Sequence, residues 1–91
     1  MANFIVSYDL NGSNPSHKEM DDHLGKLGAT RGRILETVWY VKCQGTAAQL
    51  REYLRKILGK EDLLIVAQAT SAAWTKLLVR DQSLKTAWET D

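Results

Sequence analysis

The residues from Phe4 to Leu10, FIVSYDL, constrain the chain more than any other stretch. β-Branched and aromatic side chains dominate it, which suits a pleated, half-buried strand. Alternation sends Phe4, Val6, Tyr8 and Leu10 to one face and Ile5, Ser7 and Asp9 to the other. Both faces start apolar, so the pattern predicts a central strand over 3–10. The run ends on one carboxylate, Asp9, and breaks into NGSNP, a loop in which Gly and Asn permit positive φ and Pro15 fixes a turn. Two explanations compete for Asp9. Strand-end aspartates hydrogen-bond the backbone just beyond them, whereas an outward carboxylate is a ligand for a hard cation.

Two helices and three further strands follow from the same reasoning. Ser16-His17-Lys18-Glu19 has capping-box spacing, with Met20, Leu24 and Leu27 behind it, so a helix is expected over 16–27, closed by Gly28 and weakened by Gly25 inside it. Residues 29–43 are rich in β-formers and divide at Gly32 and Glu36 into a short strand near 30–35 and a longer one from Thr37 to Cys43. Thr46-x-x-Gln49 opens a second helix, with Ala47, Leu50, Leu54, Ile57 and Leu58 inward and Gly59 at its end. Asp62 to Ala69 is almost wholly apolar, which predicts a strand that is central or covered on both faces. In the tail, 71–91, Trp74, Leu77, Leu78, Leu84 and Trp88 recur at roughly helical intervals, with Asp81 as a cap between two short pieces.

The order β-α-β-β-α-β plus a tail predicts an α+β chain of the ferredoxin-like βαββαβ type: an antiparallel sheet with two helices on one face and a C-terminal tail. Residues 1–70 would form that domain, and 71–91 an extension belonging to the same domain or to a dimer interface. A chain of 91 residues with 44% apolar content suits one small domain, folding with little margin, so a homodimer would help it hide apolar surface. The net charge of +1 announces neither a nucleic-acid nor a membrane partner in bulk. The lone cysteine, Cys43, excludes an internal disulfide and fits a reducing compartment. No stretch reaches the ~20 apolar residues of a membrane span, and the N-terminus does not read as a signal peptide, so a soluble cytoplasmic protein is expected.

Three segments carry a resemblance: the strand ending SYDL, the β-rich RGRILETVWYV, and the apolar DLLIVAQA. From Asn3 to Ala69 the chain resembles the small CRISPR-associated Cas-two proteins and their relatives, including the virulence-associated D toxins. The resemblance implies a homodimer whose two sheets face each other, with the carboxylates ending the two first strands meeting at the interface. There the pair would hold Mg²⁺ or Mn²⁺. Some members of that family are metal-dependent nucleases acting on DNA or RNA, and others are structural adaptors in which the carboxylate is dispensable. Asp9 is the matching position. Trp39-Tyr40 stands where Val-Phe is common, and the residues after Ala69 form a tail of their own. The alternative is therefore a non-catalytic protein-interaction or regulatory module that uses its dimer surface and tail to hold a protein partner.

Other residues have functional and structural readings side by side. Arg31 and Arg33 would bind phosphate bidentately if they flanked Asp9, and otherwise form a solubilising rim. Arg51, Arg55, Lys56 and Lys60 read as a solvated helix face diluted by Glu52, Glu61 and Asp62. His17 and His23 are six apart and share no helical face; His17 with Asp21 is a weak ligand pair. Ser7 suits a close sheet contact, Cys43 lacks a partner for thiol catalysis, and Trp39, Trp74 and Trp88 suit packing before base stacking.

Overall fold

The computed structural model describes residues 1–27 and 30–89. Its elements are β1 (Ala2–Asp9), α1 (His17–Gly25), β2 (Thr30–Leu35), β3 (Val38–Cys43), α2 (Ala47–Arg55), β4 (Leu63–Gln68) and α3 (Asp81–Glu89). The chain is thus α+β, with one four-stranded sheet ordered β2-β3-β1-β4 and all pairs antiparallel.

Both helix starts follow from their caps. Ser16 Oγ accepts from Glu19 N (3.1 Å) while the Glu19 carboxylate accepts from Ser16 N (2.9 Å). Thr46 and Gln49 repeat the exchange at α2 (3.1 and 2.9 Å), so the first orphan N–H groups of each helix are satisfied. Gly45, just before that cap, has φ +105°, and a Cβ there would lie 2.7 Å from Gln49 Oε1. Only glycine fits the position without strain. α1 ends at Gly25, so that glycine is terminal and not interior; Gly28 lies outside the described residues. α2 ends at Arg55, short of Gly59.

One face of the sheet carries the main core. Phe4, Val6 and Tyr8 of β1 and Trp39 and Val41 of β3 meet Met20 and Leu24 of α1 and Leu50 and Leu54 of α2. The i, i+4 spacing puts each helical pair on one stripe. α1 and α2 are also joined directly. The His23 and Tyr53 rings stack at 4.1 Å and 1°, His23 Nε2 lies 2.7 Å from Tyr53 O, and Tyr53 Oη donates to His23 O at 2.6 Å.

The other face is covered in part by the tail. Ile34, Tyr40 and Leu84 form a second buried cluster, joined by Ile5, Val38, Trp74, Leu77, Val79, Ala87 and Trp88. Helix begins only at Asp81, so the tail holds one helix and not two; residues 71–80 run without regular structure and are tied at Leu78 N to Ile34 O (3.0 Å). The end of α3 is held by buried Lys42, whose Nζ donates to Ala87 O (2.6 Å) and Trp88 O (3.4 Å). Asn3 Nδ2 also donates to Trp88 O (3.3 Å), and Tyr40 Oη donates to Asn3 Oδ1 (2.7 Å). A cation there meets the orphan carbonyls and negative dipole end of the helix.

β1 is central, as its pattern requires, but β4 is an edge strand. It packs one side against the helices, while Leu63 and Ile65 are 59% and 63% exposed on the other. A double-sided apolar run here marks incomplete cover, not a central position.

Candidate functional site

Asp9 closes β1 on the partly covered face, opposite Leu63 of β4 and in line with Ser7 and Ile5. It is exposed, and its carboxylate makes no hydrogen bond or ion pair among the described residues. The loop-pinning task expected of Asp9 falls to Asp62. Asp62 Oδ1 accepts from Asn11 N (2.8 Å) and Gly12 N (3.2 Å), and Oδ2 accepts from Gly59 N (2.8 Å). Asn11 Nδ2 adds a bond to Glu61 O (2.8 Å). The amide of Gly59, then that of Asn11, holds the Asp62 carboxyl below the usual carboxylate range. The carboxylate that ends the strand and the one that ties the loops are therefore different residues.

Beside Asp9 runs an apolar row across all four strands. Leu35 of β2 pairs with Val38 of β3, Val38 with Ser7 of β1, and Ser7 with Ile65 of β4. Cross-strand partners share a face, so these side chains lie side by side, with the small Ser7 between larger neighbours. Leu35, Leu63, Ile65 and Leu78 are the large apolar side chains exposed on or beside this face. The tail leaves Leu63 and Ile65 open, a strip along β4 beside β1 with Asp9 at its end.

The arginines lie elsewhere. Arg31 and Arg33 pair with Val41 and Trp39, which places them on the helix-covered face, opposite Asp9. Arg33 Nη2 is 2.7 Å from Asp21 Oδ2, and its guanidinium sits 5.4 Å from the centre of the Trp39 ring. Arg31 Nη2 lies against Gly25, 3.0 Å from where a Cβ would be. One chain therefore does not bring either arginine to Asp9. The other candidate residues have the following surroundings. Glu52 pairs with Arg51 (3.2 Å) and Arg55 (3.4 Å), and Lys56 lies over Tyr53. His17 is exposed, 6.2 Å from the Tyr8 ring. Burial pushes the half-buried Cys43 thiol up, away from the reactive thiolate. Trp39 is core, its Nε1 donating to Tyr8 Oη (3.1 Å), while Trp74 bonds Asp81 and Trp88 stacks on Tyr40 (5.4 Å).

No three His, Cys, Asp or Glu residues among those described converge on a metal position. Mg²⁺ keeps several waters and takes one or two carboxylates, so the uncommitted Asp9 supplies one ligand of that kind, and a second carboxylate would complete a pair. Two residues were missed from sequence. Asp62 carried a signal, a carboxylate between a Gly-containing turn and a strand. Lys42 carried one too, since alternation in β3 puts it on the same face as Val38 and Tyr40. No described helix is long and apolar enough to cross a membrane. Comparisons with protein-family models, with curated proteins and with solved structures found no match.

Proposed function

We propose that the chain is a ferredoxin-like domain, similar to the Cas-two proteins, that acts on nucleic acid as a homodimer. The element order βαββαβ and the sheet order β4-β1-β3-β2 support the fold, with α3 added on the second face. The observation that carries the functional reading is a free carboxylate at the end of an uncovered apolar strip. Burying that strip against a second copy offsets the exposure of Leu63 and Ile65, and a two-fold axis near Asp9 brings two carboxylates together. Such a pair would hold Mg²⁺ or Mn²⁺, which supplies charge stabilisation and a bound water for phosphodiester hydrolysis. The chain's own part is to fix the carboxylates on a rigid central strand and to shed water from the surrounding strip.

The test is cleavage of single-stranded DNA, duplex DNA and RNA with Mn²⁺. Asp9 is exposed and makes no contact that folding needs, so Asp9→Asn will keep the wild-type melting temperature and abolish cleavage. Cleavage that survives this substitution or EDTA rules the reading out. The second reading is a non-catalytic assembly module, favoured by the turning of Arg31 and Arg33 away from Asp9. It predicts a protein partner retained by Asp9→Asn and lost on truncation after Ala69.

A further inference from the structure

The tail builds a cleft away from Asp9, walled by two tryptophans that also pack on the second cluster. Ala72, Ala73 and Trp74 form one wall, and Asp81, Lys85, Trp88 and Glu89 of α3 form the other, enclosing about 360 Å³. Both indoles are held before any ligand arrives. Trp88 is backed by the Tyr40 ring at 5.4 Å, and Trp74 Nε1 donates to the Asp81 carboxylate. Neither ring is fully buried, unlike Trp39. Asp81, Lys85 and Glu89 follow at i, i+4 spacing on one face of α3. Asp81 is occupied by Trp74, whereas Lys85 makes no ion pair or hydrogen bond among the described residues.

We propose that this cleft binds an unstacked base of a single-stranded nucleic acid, with the adjoining phosphate on Lys85. Fixed aromatic faces bind bases with little ordering cost, and a free ammonium beside them complements the backbone charge. Glu89 at the rim accepts from the amino or ring N–H groups that bases carry. The flanking Ala72 and Ala73 are small and exposed. The inference rests on the nucleic-acid reading above but not on Asp9 or a metal.

The probes are short oligothymidylate and oligouridylate strands titrated in EDTA against the full chain, read by tryptophan fluorescence. Wild type will show saturable quenching. Lys85→Glu and Ala73→Glu, both at exposed positions away from the two cores, will each weaken binding by about tenfold or more. Lys85→Glu will also lower the slope of log affinity against log salt by about 0.7. Absence of saturable quenching, equal binding by both variants, or equal binding of duplex DNA overturns the inference, as does quenching by a proline-rich peptide where the oligonucleotides give none. Binding without Asp9-dependent cleavage defeats the nuclease reading alone, and cleavage without binding at the cleft defeats this inference alone.

Discussion

At the scale of single residues, two aspartates divide between them the work of ending a strand and tying its loop. Asp62 collects three backbone N–H groups and thereby joins the loop after β1 to the turn before β4. Its carboxyl is held below the usual range, so its bonds add stability above the unfolded carboxyl's pKa, and that stability is lost as pH falls through the lower folded value. Asp62→Ala will therefore lower the melting temperature near neutral pH, and the gap to wild type will narrow as the medium is acidified through the carboxylate range. Thermal melts across that range check it; a gap that persists in acid would show that the carboxylate's charge is not what matters. Among the described residues Asp9, one strand end away, holds no partner.

At the scale of elements, what could be read from sequence was whatever repeats with a local period. The caps of α1 and α2, the alternation of β1 and the apolar stripes all depend on neighbours within a few residues, and they sit where the pattern puts them. The place of β4 in the sheet depends on what lies beside it, and no local pattern encodes that. Asp62 to Ala69, apolar on both sides, reads as central or covered on both faces, yet the strand it forms, Leu63–Gln68, is an edge whose outward side faces solvent. The same limit applies to Arg31 and Arg33: their spacing was visible, but the face they occupy follows from register with β3. Asp9 was legible as a candidate because alternation alone gives its face. Ile65→Lys tests whether the open side is self-associating. Ile65 is mostly exposed, so the change will move monomer stability by no more than about 0.5 kcal/mol, while a charge on an edge strand blocks association. Size-exclusion chromatography with light scattering will show a dimer for wild type and a monomer for the variant; two identical masses would remove the strip as an interface.

At the scale of the whole molecule, one sheet separates two unequal cores. β1 and β3 feed alternate side chains into both, so the tail is a third layer and not an appendage. Its anchor is Lys42, buried and spent on the last carbonyls of α3. Lys42→Met keeps the apolar stem and removes the donor, at a cost of about 2 kcal/mol, so the tail will open about thirtyfold more often. Limited proteolysis followed by mass spectrometry will find faster cutting within 70–80 and an intact 1–69 core. Unchanged cutting would mean that apolar packing alone secures the layer.

That anchor has a topological consequence. Because Asn3 Nδ2 reaches Trp88 O, the start of β1 and the end of α3 lie within a hydrogen bond of each other. A short peptide bridging them would let the chain be reopened in the irregular stretch after Gln68, where few contacts hold the backbone. In such a circular permutant α3 would precede β1 in the translated order, and the tail layer would be made first, not last.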